Sequence, residues 1–458
     1  MLKFNRREVM LSGLALAGLP RMTLAGDNGF VELNAFETQV QLVEGDYPKT
    51  TVWGFNGSIP GPLLGGKQGD RMRVRLNNGL ADETAVHWHG MRVENAMDGV
   101  PGMTMQAVPP QGSFEYDIAL KDAGTYWYHS HSRSLQQVSK GLYGVVVVEE
   151  VAPPDVDLDV VVVLDDWRLS PEAQIMDDFG NMHDLSHAGR LGNYIHAMID
   201  PMPERLQTNQ RLRLRFVNTA TDRIMPMVLQ GVDGWVVARD GMPLGVPEVM
   251  DQLTLGPSER VDVIVDVTAE AGGEVLFAFR ERDQGYVLTQ FPVSEGTRTR
   301  RAAVAALPPN PITNIASVEG ARQVPMVMEG GAMGGLRGAT YKGEAMDMRA
   351  LVDQGQVWAL NGVAGLPEAP LFEAARGETV VLNMRNDTAF PHAMHMHGTH
   401  FQEILPDGTF GPHKDTVLMV RGEERAFAFV ADNPGKWLIH CHMLSHQTAG
   451  MKTWFKVS

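Results

Sequence analysis

Cysteine is almost absent from this sequence. Its 458 residues include one, Cys441, so no disulfide forms within the chain, and this thiol is either inert and buried or held for chemistry. Long apolar runs are missing too: after residue 25 none reaches the roughly 18 residues that a membrane-spanning helix needs. Nor is there a surplus of positive charge, because the formal net charge is −16. That balance argues against a nucleic-acid partner and mildly favours cationic ones. We expect a soluble protein without membrane insertion.

The N-terminus has the pattern of an export signal. Arg6 and Arg7 precede an apolar run at residues 10–19, and small residues at 23–25 offer a cleavage site. The paired arginines favour the twin-arginine route, although residues 8–10 match its consensus loosely and general secretion stays open. We therefore predict that residues 1–25 are a signal peptide and that the mature protein lies in the periplasm.

Two sequence patterns recur three times along the chain. The first, at residues 69–78, 209–218 and 377–386, alternates apolar and polar residues and ends in Asn, which is typical of a half-buried strand closed by a turn. The second is a short strand-like run that begins at Gly124, at Gly273 and again at Gly435. Such repeats indicate three copies of one domain.

The predicted fold is all-β. Long helical periodicity is scarce, and short strand-like segments are separated by Gly, Pro and Asn turns, the pattern of β-sandwiches. We predict three sandwich domains, over residues 28–150, 155–300 and 318–458, with linkers at 151–154 and 308–311.

Histidine pairs occupy fixed positions in the repeats of domains one and three. The pairs are His87 and His89, His129 and His131, His395 and His397, and His440 and His442. The equivalent positions of domain two hold Met227, Leu229, Ala278 and Arg280. Because side chains alternate along a strand, both imidazoles of a pair share one face. Imidazole binds copper, zinc, iron and nickel, and eight ligands exceed what one ion takes, so we predict a metal cluster between domains one and three.

The other histidines outside the four motifs have no such pattern. They are His183, His187, His196, His400 and His413. We expect them to be ordinary core or surface residues.

Domain three carries a second ligand set around its cysteine. The set consists of His392, Cys441, His446 and Met451. One thiolate, two imidazoles and a weak thioether are the ligands of a blue-copper electron-transfer site. The equivalent positions of domain one hold Thr84, Ser130, Leu135 and Lys140. Because His440 and His442 flank Cys441, an electron at the thiolate has a short covalent path to the cluster.

The four motifs together resemble those of the multicopper oxidases, the family of laccases, ascorbate oxidase and bacterial copper-efflux oxidases. They begin at His87, His129, His392 and His440, and the last one extends to Met451. The resemblance covers almost the whole mature chain. It implies three cupredoxin-like Greek-key domains and four copper ions, one of type 1, one of type 2 and two of type 3. It also implies an oxidoreductase that takes single electrons from a donor and reduces O₂ to water.

The resemblance gives each ligand a role. It implies type 1 copper on His392, Cys441, His446 and Met451; type 2 copper on His87 and His395; and type 3 coppers on His89, His129 and His442 and on His131, His397 and His440. By the same resemblance Asp98 lies near the cluster and helps to supply protons; a turn residue before Gly99 is the alternative. A second acid common in such oxidases is replaced by Gln447, so the proton pathway is expected to differ.

Two different electron donors are compatible with the sequence, and each implies a different kind of oxidase. We favour Cu(I) or another metal ion, with a role in copper tolerance, because thioethers suit Cu(I) and the chain has 27 methionines. One group of candidate copper-binding residues is Met326, Met328, Met333, Met346 and Met348, and a second, mixed group of methionines and histidines is Met176, Met182, His183, His187, His196 and Met198. Packing in the core is the alternative for both groups.

A laccase-like oxidase of phenols and aromatic amines is the alternative enzyme. In copper-efflux oxidases an Asp and a Met just before the first type 1 histidine help to bind Cu(I), and here Thr388 and Phe390 stand in those positions. A copper-free structural or assembly protein is disfavoured because every ligand is present, and a nitrite reductase is disfavoured because domain one lacks the type 1 set. We expect a monomer whose partners are O₂ and a small reductant.

Overall fold

The computed structural model describes residues 3–4, 29–281, 284–296, 299 and 301–458. Strands dominate it and its helices are short, because apolar residues alternate along the chain instead of recurring every three or four positions. The prediction of an all-β chain is confirmed. The predicted signal peptide lies outside the described residues except for β1 (Lys3–Phe4), which pairs with a strand near residue 284. Within the described ranges, no helix is long and apolar enough to cross a membrane.

The first pair of sheets lies between residues 31 and 149. Its elements are β2 (Val31–Val40), β3 (Thr50–Phe55), β4 (Leu64–Lys67), β5 (Arg71–Asn78), β6 (Val86–His89), a 3₁₀ helix (Asn95–Met97), β7 (Ser113–Ala119), β8 (Gly124–Ser130), α1 (Ser134–Ser139) and β9 (Tyr143–Glu149). The sheets have the orders β3-β2-β5-β7 and β4-β9-β8-β6. Buried side chains of both, such as Val74 and Val146, form one core, as expected where one face of each strand is apolar.

The second pair of sheets lies between residues 158 and 294. Its elements are β10 (Leu158–Trp167), α2 (Met182–Ser186), β11 (Tyr194–Asp200), β12 (Leu206–Gln207), β13 (Arg211–Asn218), β14 (Met225–Gln230), β15 (Val232–Arg239), β16 (Met242–Val249), β17 (Leu253–Leu255), β18 (Arg260–Val267), β19 (Glu274–Glu281) and β20 (Gln284–Ser294). One sheet has the order β11-β10-β13-β18-β15-β16, and β20-β19-β14-β17 face it. Phe216 and Phe277 join the two sheets in one core.

The third pair of sheets lies between residues 322 and 457. Its elements are β21 (Arg322–Gly330), β22 (Gly338–Tyr341), β23 (Glu344–Asp347), α3 (Met348–Asp353), β24 (Trp358–Leu360), β25 (Glu373–Ala374), β26 (Thr379–Asn386), β27 (His392–Met396), β28 (Phe401–Ile404), β29 (Phe410–Lys414), β30 (Thr416–Met419), β31 (Glu424–Val430), β32 (Gly435–Cys441), α4 (Leu444–Thr448) and β33 (Lys452–Val457). The sheet orders are β24-β21-β26-β31-β28-β29 and β25-β33-β32-β27-β30. A hairpin, β22-β23, lies outside both.

The recurring sequence patterns form equivalent strands. The first pattern contains β5, β13 and β26, and each lies between one parallel and one antiparallel neighbour. The second pattern contains β8, β19 and β32. The domain ranges predicted from the sequence enclose these three sheet pairs. The exact residues at which each domain begins and ends stay a prediction.

Candidate metal centres

The predicted histidine pairs meet because two strands of domain one face two strands of domain three. In domain one, β6 pairs with β8 and sets His87 opposite His129; in domain three, β27 pairs with β32 and sets His395 opposite His440. The imidazoles of the two domains then interleave. The rings of His87 and His397 stack with centroids 3.9 Å apart, and those of His89 and His395 stack at 3.7 Å. The cluster therefore lies between the domains.

Three groups of imidazole nitrogens come within 4.8 Å of one another in this cluster. The groups are His87, His89 and His129; His87, His395 and His397; and His131, His397 and His440. The remaining pair member, His442, has its ring centroid 4.8 Å from that of His89 and 5.1 Å from that of His129. All eight predicted cluster imidazoles are thus brought together.

Hydrogen bonds at the outer edge of the rings decide which nitrogen faces the cluster. His87 donates from Nδ1 to the carbonyl of Asp98 at 2.8 Å, and His395 donates from Nδ1 to the carbonyl of Asp415 at 2.9 Å. A carbonyl only accepts, so Nδ1 carries the hydrogen and Nε2 keeps a lone pair. Nε2 of both rings is buried with no hydrogen-bond partner. Buried orphan acceptors of this kind fit a cation that the rings would ligate.

Two further pairs of nitrogens face each other. His440 and His129 donate from Nδ1 to the carbonyls of Cys441 and Ser130, at 2.9 Å and 3.1 Å, so each Nε2 keeps its lone pair. Nε2 of His440 lies 3.2 Å from Nε2 of His397, and Nε2 of His129 lies 3.3 Å from Nε2 of His442. His397 also donates from Nδ1, to Asp98 Oδ2 at 3.0 Å, so two lone pairs meet at the first contact. Metal ions fit this arrangement, because they replace lone-pair repulsion by coordination.

Burial keeps these imidazoles neutral. The pKa values of nine of the predicted ligands are lowered, chiefly because burial disfavours the imidazolium form: His89, His129, His131, His392, His395, His397, His440, His442 and His446. For His446 the pKa is about 4. Neutral imidazole is the form that binds metals, so the site is in its binding state at neutral pH.

The cysteine set forms a separate buried group at the end of β32. Cys441 Sγ lies 3.7 Å from Nδ1 of His392 and 3.7 Å from Nδ1 of His446, and the two nitrogens are 2.9 Å apart. The other nitrogens are held by Thr388 Oγ1 at 2.8 Å and by the carbonyl of His187 at 2.7 Å. Both Nδ1 lone pairs therefore face the thiol, a sulfur and nitrogen set that fits copper.

The thiol itself needs a cation to ionise. Burial raises the pKa of Cys441 well above its ordinary value, so the thiolate forms only when a bound metal compensates the charge. Met451 is fully buried, and its carbonyl accepts the backbone N–H of Cys441 at 3.0 Å. The fourth member of the predicted set is thus beside the cysteine.

Asp98 lies in the cluster and does not merely shape a turn. It is 1% exposed, its Oδ2 accepts from His397, and its Oδ1 is 3.3 Å from Nδ1 of His87 but has no well-aligned donor. Gly99 makes this approach possible: it has φ +81°, and a Cβ there would lie 1.8 Å from the carbonyl oxygen of Val86. Gln447, the residue in place of a second acid, is also buried.

Two residues beside the cluster were not predicted from the sequence. Asp415 lies between β29 and β30, is fully buried and has Oδ1 3.1 Å from Nε2 of His89. Its partner is Arg260 at the start of β18, in the domain without histidine pairs. Burial alone would raise the pKa of Asp415, but Arg260 holds it well below its ordinary value. A lone Asp and an Arg 155 residues away give no spacing pattern that sequence reasoning can use.

The remaining histidines and methionines divide by burial. Met326 and Met328 are fully buried in the domain-three core, whereas Met333 is 81% exposed. His183 of α2 stacks on His187, the residue after this helix, with ring centroids 4.0 Å apart, and the carbonyl of His187 accepts from His446. Burial lowers the pKa of His196 and His413 to about 4. His400 lies with Nε2 3.5 Å from Asp415 Oδ2.

Comparison with known proteins identifies the family. Residues 37–153 and 340–458 each match a multicopper oxidase domain model. Multicopper oxidase MmcO of Mycobacterium tuberculosis is 30% identical over 439 residues, which are 87% of this chain and 82% of that protein. Copper resistance protein A of Pseudomonas syringae pv. tomato is 26% identical, with 96% of each chain covered.

A solved structure supports the same conclusion. Lac15 from a marine microbial metagenome is 40% identical, superposes with a TM-score of 0.77, and is matched over 93% of this chain and all of its own. The sheet pairs are therefore cupredoxin-like domains, and the resemblance seen in the sequence is confirmed. This chain belongs to the multicopper oxidase family and is an oxidoreductase that holds copper and passes electrons to O₂.

Proposed function

We propose that the chain is a four-copper oxidase. The ligands would be His392, Cys441, His446 and Met451 for type 1 copper; His87 and His395 for type 2; and His89, His129, His442 with His131, His397, His440 for the type 3 pair. The facing lone pairs of His397 and His440, with the free buried Nε2 atoms of His87 and His395, carry this proposal, because bound metal ions satisfy them. Bound copper supplies one-electron oxidation of a donor at the type 1 centre and four-electron reduction of O₂ to water at the cluster.

The chain's own groups connect and protect the two centres. Cys441 is covalently joined to His440 and His442, so the peptide chain is the path between the sulfur and the cluster. Burial of all the ligand histidines excludes bulk water from the site. Asp98 is the chain's candidate for passing protons to the site, because its Oδ1 is a carboxylate oxygen left without a donor beside the ligands His87 and His397.

A metal ion, Cu(I) first, is the proposed electron donor. The outer nitrogen of His446 donates to the carbonyl of His187, the residue after α2, so this hydrogen bond connects the type 1 site to the segment around α2. Next to it His183 stacks on His187, Met182 is 37% exposed, and the turn that holds Met333 is bonded to α2 through Ala332 and Ser186. Imidazole and thioether groups suit Cu(I). The name of copper resistance protein A supports a role in copper tolerance, with export to the periplasm as predicted from residues 1–25.

A laccase-like activity on phenols is the second candidate. Phe390 is half buried and has its ring centroid 5.6 Å from that of His187, which offers an aromatic donor a face beside the same entry. Thr388, the other position that would carry a copper ligand in an efflux oxidase, is buried and turned to His392.

Metal analysis tests the proposed copper ligands, and O₂ uptake tests the proposed oxidase activity. We expect about four copper ions per wild-type chain by atomic absorption and loss of the type 1 ion and its blue absorption in Cys441→Ser, because an uncharged hydroxyl is a poor copper ligand. A blue, active Cys441→Ser protein would refute the ligand assignment. His413→Gln, which lies outside both ligand sets, is the matched control.

The donor is tested separately. We expect the double variant Met182→Leu, His183→Gln to lower kcat/KM for chelated Cu(I) while kcat/KM for a simple methoxyphenol stays unchanged. An equal effect on both donors, or none on Cu(I), would favour the laccase-like function and leave the four-copper assignment intact.

A further inference from the structure

One charged side chain of domain two, which holds none of the proposed copper ligands, lies at the edge of the cluster. Arg260, the first residue of β18, is fully buried and pairs with Asp415 of domain three in a bidentate bridge. Nη1 donates to Oδ1 at 2.9 Å and Nη2 donates to Oδ2 at 2.5 Å. A single carboxylate, that of Asp415, lies between this arginine and His89.

That carboxylate selects the nitrogen that His89 offers to metal. Oδ1 of Asp415 lies 3.1 Å from Nε2 of His89, and an ionised carboxylate only accepts. The hydrogen of the neutral ring therefore sits on Nε2, and Nδ1 keeps the lone pair. Nδ1 of His89 is buried without a partner. On the same strand, two residues earlier, His87 shows the opposite choice: its Nδ1 donates outward and its Nε2 is free.

Groups from all three domains fix the guanidinium. Nε donates to the carbonyl of Thr125 in domain one at 3.3 Å, and Nη1 donates to the carbonyl of Ser258 in domain two at 3.1 Å. The backbone N–H of Arg260 donates to Asp240 at 3.0 Å. With Asp415 in domain three, the side chain is anchored in each domain. A planar fork with this many directed bonds is a geometry that lysine cannot reproduce.

The residue after His89 is shaped for this bridge. Gly90 has φ +82°, and a Cβ there would lie 2.2 Å from Nη2 of Arg260 and 2.6 Å from Oδ2 of Asp415. The space beside the histidine motif is therefore filled by the ion pair. Thr416 completes the bridge by donating from Oγ1 to Oδ1 of Asp415 at 2.8 Å. Any side chain at position 90 would push the guanidinium away from the carboxylate.

We propose that Arg260 is a positioning residue of the copper cluster: through Asp415 it orients His89 so that Nδ1 faces the metal site. This inference rests on the proposed ligand assignment. It gives domain two, which has no ligand of its own, a direct role at the cluster. Groups that orient a metal ligand typically change metal affinity roughly 10–100-fold when they are removed.

The test compares two arginines with the same kind of partner. Arg260→Lys keeps the charge and loses the fork. Arg211→Lys is the matched control, because Arg211 is also buried and also bidentate, with Asp266 at 2.6 and 2.7 Å, but this pair lies within domain two away from the cluster. Each purified protein is freed of copper, titrated with copper, and analysed by atomic absorption and electron paramagnetic resonance, with thermal unfolding of the copper-free form measured in parallel.

The expected result is selective loss at the cluster. Arg260→Lys should keep the blue type 1 centre, whose ligands Arg260 does not touch, and bind cluster copper roughly 10–100-fold more weakly. The loss should fall on the type 3 ion that His89 would hold, and Arg211→Lys should match the wild type at both the type 1 centre and the cluster. Loss of thermal stability in both variants with wild-type copper binding would overturn the proposal and leave Arg260 a purely structural residue.

A second variant covers the case in which Arg260→Lys does not fold. Asp415→Asn keeps the size of the side chain but places an amide beside the guanidinium, and it should shift copper affinity at the cluster in the same direction. Unchanged cluster affinity in Asp415→Asn would also overturn the proposal. A wild-type protein that binds type 1 copper but no cluster copper would instead refute the proposed function itself.

Discussion

Thr388 offers the sharpest test of how the type 1 pocket is prepared. The residue is 4% exposed. Its hydroxyl accepts the Nε2–H of His392 at 2.8 Å and the N–H of Phe390 at 3.2 Å, and it donates to the side-chain oxygen of Asn386 at 2.8 Å. Thr388→Val keeps the shape and removes these bonds. An unsatisfied buried donor costs about 1–3 kcal/mol, and the imidazole N–H of fully buried His392 has no water to turn to.

The ring has one way to recover part of this loss. In the copper-free variant the hydrogen can move to Nδ1 of His392, which lies 2.9 Å from Nδ1 of His446, and form a hydrogen bond there. The free energy of unfolding of copper-free Thr388→Val should then fall by about 1 kcal/mol, the lower end of that range. Copper must break the new bond, so type 1 copper should bind roughly 10–100-fold more weakly.

The assay pairs two substitutions at this position. Equilibrium unfolding in urea of the copper-free proteins gives the stability change, and copper titration followed by blue absorption gives the affinity. Thr388→Ser keeps the hydroxyl and should bind type 1 copper as the wild type does. A Thr388→Val protein with wild-type copper affinity would refute the reasoning, because the hydroxyl would then not decide which nitrogen His392 presents.

Three further predictions concern the cluster and the domain contacts. Asp98→Asn should retain copper, since an amide oxygen still accepts from a ligand imidazole, but O₂ reduction in steady-state uptake should slow roughly 10²-fold, because an amide cannot hold the proton; unchanged turnover from pH 5 to 8 would contradict this role. Gly99→Ala should lower the unfolding free energy by about 3 kcal/mol or more, because its Cβ would collide with the carbonyl of Val86, whereas Gly102→Ala, with nothing within 4 Å, is the control. Burial raises the pKa of Asp222 to about 6, so the folded protein favours the protonated carboxyl. The resulting stabilisation is complete below the unfolded pKa near 4, and the unfolding free energy falls by about 3 kcal/mol as the pH rises through 6. Asp222→Asn should abolish this decline, measured by urea titration at several pH values.

Domain two contacts both proposed copper centres although none of the proposed ligands lies in it. The carbonyl of His187 fixes His446, and Asp222 accepts from the backbone and hydroxyl of Ser445 beside it at 3.1 and 2.9 Å. At the other centre Arg260 reaches His89 through Asp415. The middle domain therefore orients one histidine of each centre.

Much of the site was readable from the chain because it rests on local geometry. A His-x-His pair on a strand presents both rings on one face whatever the rest of the fold does, and the repeat fixed which strands are equivalent. The neighbours of Cys441 on β32 are likewise set by the covalent chain. The all-β class followed from the period of two, and the family from four motifs in order.

Tertiary structure decided what depends on residues far apart in the chain. His89 has its Nδ1 free because Asp415, 326 residues away, accepts a hydrogen bond from Nε2, and Arg260 holds that carboxylate across a domain contact. Domain packing likewise brought α2 over His446, and it left Met333 exposed while Met328 entered the core. A sequence pattern shows only how side chains alternate within its own strand. Which surfaces meet, and which nitrogen of a ring is left free, is decided only when the three domains pack against one another.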